Sequence, residues 1–454
     1  MKKIVISLLL VLCLAATVLG GCSSGDTNTD KEKITDNNDT TKDNTSDDKV
    51  SKDTPTEVKI WTWSPISRTM DKMIKAFNEN NPDIKVTYTN YNFSPEYLSA
   101  LAAGAGSNSL PDIIGLQPGS FTQQYKEYLI DLGSYAENSW GENWENNFYK
   151  INSNQIQLGN AEGDNNKYIM PCESQIINIW YNTRIFDELD LSVPKTWDEL
   201  KSVSKKLTDN GYAPLYFGGA DGWQHVNVFQ MLAHQMVPID KVQDGTVKWT
   251  DPKMLKAMEA FKDMFDSGIM QVGSLSNHAY PDGVNLFTAG KVGMMALGSW
   301  WLQEYTAPKR VGAVENWDFD NFYLPSYEDG GQVSPPVGGI DFGYGITKDC
   351  KNPEAAWRVI EAFSAGVGIQ AAINDLNNLP AYKGIIPEGD ISEKVKNQSM
   401  TYAELLDSAY NQRIGEPSIE NALQNALSGV AAGQLSPMEA LEAIQEEQDK
   451  VSNK

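Results

Sequence analysis

Between residues 58 and 114 the chain alternates strand, helix, strand, helix, strand. No other feature restricts its fold as much. Residues 58–63 are rich in β-branched and aromatic side chains and read as a strand. Ser64-Pro65 then has the form of a helix cap with proline at the first helical position. Ile66, Met70, Met73, Ile74 and Phe77 recur at helical spacing up to Asn80-Asn81-Pro82. Residues 84–88 alternate as a second strand. Ser94-Pro95 opens a second helix that Gly104 closes, and Asp112-Ile113-Ile114 is a short buried strand. Strands separated by helices pair in parallel, because each return needs a crossover.

The same grammar continues. Residues 176–180, 292–297 and 342–346 read as strands. Thr196 and Glu199 stand at capping-box spacing before one helix. Asp251-Pro252 begins another, with Leu255, Met258, Phe261, Met264 and Phe265 on its apolar side. Pro353-Glu354 opens a helix through Phe363, and 398–450 is helical with breaks near Gly415-Glu416-Pro417 and Gly433. Residues 57–454 are too many for one ordinary core, so two domains are expected. The formal charge is −23. That excludes a nucleic-acid binder, which needs a basic surface, and disfavours anionic ligands.

The N-terminus carries an address. Lys2 and Lys3 precede an apolar run over residues 4–18, followed by Leu19-Gly20-Gly21-Cys22. A charged start, an apolar stretch and small residues form an export signal. With a cysteine directly after them, the pattern resembles a bacterial lipobox. The resemblance implies removal of 1–21, lipid on Cys22 and anchoring on the extracytoplasmic face of the cell membrane. Residues 22–56 then comprise the lipidated cysteine and a disordered tether. Its sizeable apolar residues are only Ile34 and Val50, too few to offset ordering entropy. As a coil it spans roughly 30 Å. Cys172 and Cys350 remain in the body, where export permits a bridge and two unpaired buried thiols are the ordinary alternative.

Five motifs follow in order: Pro111-Asp112-Ile113-Ile114; Tyr168-Ile169-Met170-Pro171 leading to Tyr181-Asn182-Thr183; Pro194-Lys195-Thr196-Trp197-Asp198-Glu199-Leu200; Phe287-Thr288-Ala289-Gly290-Lys291-Val292-Gly293-Met294-Met295 with Gly298-Ser299-Trp300; and Gly433-Gln434-Leu435-Ser436-Pro437-Met438-Glu439-Ala440-Leu441. Together they resemble the carbohydrate-binding, maltose-binding-protein-like family of extracellular solute-binding proteins of ABC importers. The resemblance implies an α/β, two-lobed periplasmic-binding-protein fold. Each lobe would hold a mainly parallel sheet flanked by helices, with ligand in the cleft between them. It divides the chain into an N-terminal lobe of 57–166 and 320–365 and a C-terminal lobe of 167–319 and 366–454.

A sugar offers hydroxyls on its rim and C–H groups on its faces. Its site should combine Trp or Tyr with hydrogen-bonding side chains. The chain has 12 Trp. Trp63 and Ser64 end the first strand, and Gln117 follows the third. Glu173 and Gln175 lie in the crossover, while Trp223 and His225 lie in a polar–aromatic loop. Trp300 falls where the resemblance places a stacking ring, and Asp341 where it places a Gly-rich return. Glu420 is a weaker candidate. Trp180, Trp197, Trp301 and Trp357 read as core. There is no His-Glu-x-x-His or Gly-x-Ser-x-Gly run, and the three histidines lack metal-ligand spacing, so no catalytic residue, metal or cofactor is expected. The expected partners are a carbohydrate, an ABC permease and, through lipid, a membrane; the protein is expected to be a monomer. Alternatives are a polyamine or glycerol phosphate ligand, a sensor serving a receptor kinase, and a surface glycoside hydrolase.

Overall fold

The computed structural model describes residues 54–305, 319–389 and 393–453. The export signal, Cys22 and all of the tether before residue 54 lie outside them. Ten strands are present in the described chain: β1 (Thr56–Thr62), β2 (Ile84–Asn90), β3 (Ile113–Leu116), β4 (Met170–Asn182), β5 (Ala213–Tyr216), β6 (Val292–Gly298), β7 (Phe319–Phe322), β8 (Val337–Ile346), β9 (Leu379–Pro380) and β10 (Tyr410–Asn411). They form one sheet in the order β2-β1-β3-β8-β4-β6-β5. β7 and β9 also pair with β4, and β10 pairs with β8.

The two ends of this sheet follow the parallel expectation. β1 runs parallel to β2 and β3, and β5 runs parallel to β6. The middle does not. β8 is antiparallel to both β3 and β4, and β4 is antiparallel to β6. The reason is connectivity. β4 and β8 carry the chain between the two halves in opposite directions, and such a pair needs no crossover helix. Every residue of β4 except Tyr181 is buried, including the polar Glu173, Ser174, Gln175, Asn178 and Asn182, so these side chains need partners inside the protein.

Two sets of apolar clusters flank these strands. One set gathers β1–β3, Met70, Met73 and Phe77, with Trp357 and Ile360. The other gathers β5, β6, Phe229, Phe261, Trp249 and Leu423. These are the cores of two lobes. Two segments pack otherwise than the division at 320 and 365 anticipates. β7 pairs with residues 179–182 of β4, and Phe322 and Leu324 enter the second lobe's core. The helix Val367–Leu376 packs on Ser67–Asn78 of the first lobe, and Asp375 accepts from Thr69 (2.6 Å) and Arg68 (3.1 Å). Local patterns locate helices but not the sheet edge or neighbour that captures them.

Several caps form as the sequence indicates. Thr196 Oγ1 accepts from the Glu199 N–H (3.2 Å) at the start of Trp197–Asp209. Asp251 caps Pro252–Asp266, and Ser436 with Glu439 completes a capping box before Pro437–Ser452. Ser64 does not act as a cap. Thr62 Oγ1 accepts from its N–H (3.3 Å) and donates to its carbonyl (2.5 Å). The helix starts only at Ser67, behind Ile66. Likewise the second helix begins at Leu98, after a turn over Phe93–Tyr97. Cys172 and Cys350 are free, buried thiols, and Cys172 Sγ donates to the Phe363 carbonyl (3.0 Å). Trp180, Trp197, Trp301 and Trp357 are buried. No described helix is long and apolar enough to cross a membrane.

Candidate functional site

The polar candidates converge where β4 meets β8. Gly338 and Gly339 open β8 because nothing larger fits. A Cβ on Gly338 would overlap the Gln175 carbonyl, and Gly339 has φ +129° with the Gln155 amide in its Cβ position. That amide stitches the strand in place. Gln155 Oε1 accepts from the Ile340 N–H (2.7 Å), and Nε2 donates to the Gly338 carbonyl (3.2 Å) and Asn411 Oδ1 (2.7 Å). The register then slips: Ser174 faces Ile340, but Glu173 faces Phe342. Asp341 is the residue left unpaired by the bulge, and such residues are turned out of the ladder.

Glu173 is buried and accepts from Asn378 Nδ2 through Oε2 (2.7 Å). Burial, reinforced by the neighbouring Asp341 charge, pushes its carboxyl up to about 8. Burial raises Asp341 to about 6, opposed by the Arg413 cation. Gln175 joins the two sides. With its amide turned to match its neighbours, it donates to Asp341 Oδ1 (3.2 Å) and accepts from Arg413 Nη2 (2.9 Å) and from Gln412. Arg413 also donates to the Ile340 (3.0 Å) and Asp341 (3.1 Å) carbonyls. Glu420 lies near that cation, with burial raising its carboxyl and Gln424 donating to it (3.3 Å). The result is a polar floor, buried at Glu173, Gln175 and Gln412 and partly exposed at Asp341, Arg413 and Glu420, with the Arg413 cation already surrounded by acceptors.

Aromatic rings stand on either side. In the first lobe Trp63 is half-buried among Phe93, Tyr97, Phe121 and Phe342, with ring centroids 4.9–6.3 Å away. Phe342 pairs with Glu173 across the β4–β8 ladder, which ties Trp63 to the floor. In the second lobe the Ile176 N–H donates to Ser299 Oγ (3.2 Å), setting Trp300 beside the end of the crossover. Trp300 is half-buried. Its Nε1 donates to Tyr280 Oη (2.7 Å), and its ring meets Trp223 edge-on at 6.1 Å. Trp223 is in the first turn of Gly222–Met236 and is also half-buried.

The remaining candidates lie differently. Ser64 is half-buried, and its carbonyl accepts from Tyr344 Oη (3.3 Å), so its backbone is engaged locally. Gln117 is half-buried, and its carbonyl accepts from Thr122 Oγ1 (2.6 Å). His225 is fully buried and leaves the candidate surface. Three residues into the helix it points at the core, against Phe217 (4.8 Å), with Nε2 on the Gly219 carbonyl (2.8 Å). Burial lowers its pKa, so it is held neutral. Sequence reasoning overlooked Arg413, Gln412, Asn378 and Tyr280. Tyr280-Pro281 carried no motif, and 410–416 read only as a break between helices. A signal existed for Arg413, as an arginine beside the buried-pattern return strand would need carboxylate partners. Among the described residues, no group of three His, Cys, Asp or Glu side chains is arranged to hold a metal ion.

Comparison with known proteins fits this frame. The model of the bacterial extracellular solute-binding proteins matches residues 62–365. The chain belongs to that family. A multiple sugar-binding protein of Streptococcus mutans is 22% identical over 324 residues, covering 70% of this chain and 73% of the relative. An α-glucosides-binding periplasmic protein of Rhizobium meliloti is 25% identical over 343 residues, 71% of each chain. Among solved structures, a chitin oligosaccharide binding protein superimposes with a TM-score of 0.72 at 21% identity, covering 88% of this chain and 100% of its own. A Listeria monocytogenes substrate-binding protein in complex with cycloalternan gives 0.70 at 20% identity, with 88% and 99% covered. The shared architecture is the two-lobed binding-protein fold.

Proposed function

We propose that this family member is a lipid-anchored, extracytoplasmic protein that captures a carbohydrate, in particular an oligosaccharide, and delivers it to an ABC permease without chemical change. One observation carries the reading. Half-buried tryptophans stand in both lobes, Trp63 after β1 and Trp300 after β6 with Trp223 beside it, and the strands between, β8 and β4, carry Asp341, Glu173 and Gln175, with Arg413 bonded to them. Flat rings suit the C–H faces of sugars, and the partly exposed Asp341 and Arg413 supply an acceptor and a donor for hydroxyls, held in place by the buried Glu173 and Gln175. Closure of the lobes on ligand is a hinge motion. Relatives and neighbours named for sugars support the ligand class. A relative from Rhizobium meliloti is named for sn-glycerol-3-phosphate, at 24% identity over 282 residues. The Arg413 cation is already among Asp341, Glu420 and Gln175, which argues against a free phosphate claiming it.

A thermal-shift screen of mono- and oligosaccharides, with glycerol phosphate and a polyamine as further arms, tests the ligand. A sugar at a hundred times its dissociation constant should add about 2.7 kcal/mol. Stabilisation by glycerol phosphate or polyamine alone would overturn the sugar reading, and mass analysis showing hydrolysed sugar would make the protein an enzyme. The anchor is tested by Cys22→Ser, which should release a folded protein from the membrane; retention of that variant would refute lipidation at Cys22.

A further inference from the structure

We infer that His278 is a positioning residue for the aromatic wall of the second lobe: by clasping Asp221 it docks the segment that carries Tyr280 and so fixes the Trp300 ring. This rests on the reading that Trp300 faces the ligand, and it adds to that reading a residue two steps removed from any contact.

The geometry is a chain of short links. Asp221 is buried at the mouth of the helix Gly222–Met236. Its Oδ1 accepts from His278 Nδ1 (2.8 Å) and its Oδ2 from the Ala279 N–H (2.8 Å). The docked backbone is close-fitting, since a Cβ on Gly218 would overlap the Ala279 N–H. Tyr216 Oη donates to the His278 carbonyl (3.0 Å), closing the other side. The next residue is Tyr280, whose hydroxyl receives the Trp300 indole N–H (2.7 Å). Trp300 in turn meets Trp223, which follows Asp221 by two positions. Asp221 thus sits at one end of a loop of contacts that returns to its own helix.

One end of the clasp is wet and the other dry. The His278 side chain is 49% exposed, whereas that of Asp221 is 6% exposed. A buried carboxylate with a solvent-facing histidine makes a link sensitive to the proton on the ring. The titratable groups facing His278 are Asp221 and Tyr216 from the β5 side and Asp282 from its own segment. His225 packs beneath the same loop and is held neutral by burial. The hydrogen bond and charge of Asp221 raise the His278 pKa, with Asp282 adding to it. The sign follows. The charged clasp is at full strength below the ordinary histidine value of about 6.5 and is lost as pH rises through the raised value. A neutral ring keeps a hydrogen bond but loses the ion pair.

The test uses the Trp300 indole N–H itself and requires no ligand. In purified protein labelled with ¹⁵N-tryptophan, the resonance is assigned with Trp300→Phe, and its exchange is measured from pH 5.5 to 8.5. His278→Ala should exchange roughly two- to ten-fold faster than wild type, the scale of one side chain's ordering. His278→Asn retains a donor without the charge. Its rate relative to wild type should be near one at pH 8.5 and rise to roughly two- to ten-fold at pH 5.5. Taking the ratio at each pH removes the intrinsic pH dependence of exchange and the titration of Glu173 and Asp341. Wild-type rates in His278→Ala, or a ratio that stays flat with pH, would overturn the clasp. Calorimetry of Trp300→Ala with maltotriose, xylotriose and chitotriose separately tests the ligand-facing reading, so either idea can fail alone.

Discussion

Replacing Trp300 with alanine removes three things. The ring loses its edge-on contact with Trp223, an arrangement worth about 0.5–1.5 kcal/mol. The indole N–H loses Tyr280, a hydrogen bond worth about 1 kcal/mol net. A half-buried apolar surface that reaches the cores on both sides of β6 is also lost. Full burial would put the cost at about 3–5 kcal/mol, and partial exposure brings it to about 2–3 kcal/mol. The unliganded protein should therefore melt a few degrees lower. If Trp300 faces the ligand as proposed, binding should weaken at least about tenfold, or about 1.4 kcal/mol, for loss of a flat face. Trp300→Phe keeps a flat ring and gives up only the hydrogen bond and part of the area. It should recover most of the affinity with less of the stability. Calorimetric titration of both variants with the best sugar, beside an unliganded melt of each, reads the two effects independently. Affinity close to wild type in folded Trp300→Ala would refute the assignment of this ring to the site.

Three other substitutions probe the floor and its surroundings. Gly339→Ala at φ +129°, with the Gln155 amide in the way, should lose roughly 1–3 kcal/mol in urea unfolding; an unchanged midpoint would refute the tight cradle. The carboxyl of Glu173 is raised to about 8, so between about pH 4.5 and 8 the folded state holds a proton that the unfolded chain gives up, and wild-type stability falls as pH rises across that window. Glu173→Gln should remove that share of the fall, seen as a gain relative to wild type that is larger at pH 9 than at pH 5. His225→Ala should leave the sugar dissociation constant unchanged while lowering the melting temperature, and a weakened affinity in the folded variant would return His225 to the site.

What was legible in the sequence was what is decided within a few residues. The cap at Thr196, the box at Ser436 and the proline after Asp251 each fix a helix start by local hydrogen bonds. Ser64 has the same local look, but Thr62 takes its backbone first. The parallel ends of the sheet follow from alternation, whereas the antiparallel middle depends on β4 finding β8 some 160 residues later. The site divides the same way. As candidates, Glu173, Gln175, Trp300 and Asp341 could be picked out because they sit on or next to strands with recognisable motifs. Arg413 and Asn378 could not, since they reach the floor through β10 and β9, two-residue strands with no pattern of their own. His225 reads as part of a surface loop because its sequence neighbours are polar, while the helix beginning at Gly222 buries it together with Gln224, Val226 and Val228.

The single sheet has a consequence for how recognition can change. Glu173, Gln175 and Asp341 of the polar floor stand on β4 and β8, the strands that carry the chain between the lobes, so the floor lies where a hinge motion would turn. The tryptophan walls belong to one lobe or the other and hang from short segments after β1 and β6 or at a helix start. On the proposed reading, a new ring size or linkage would be accommodated by editing those segments, leaving the floor, its bulge and its glycines untouched. The floor is the shared hinge plate of the molecule, and the walls are its exchangeable jaws.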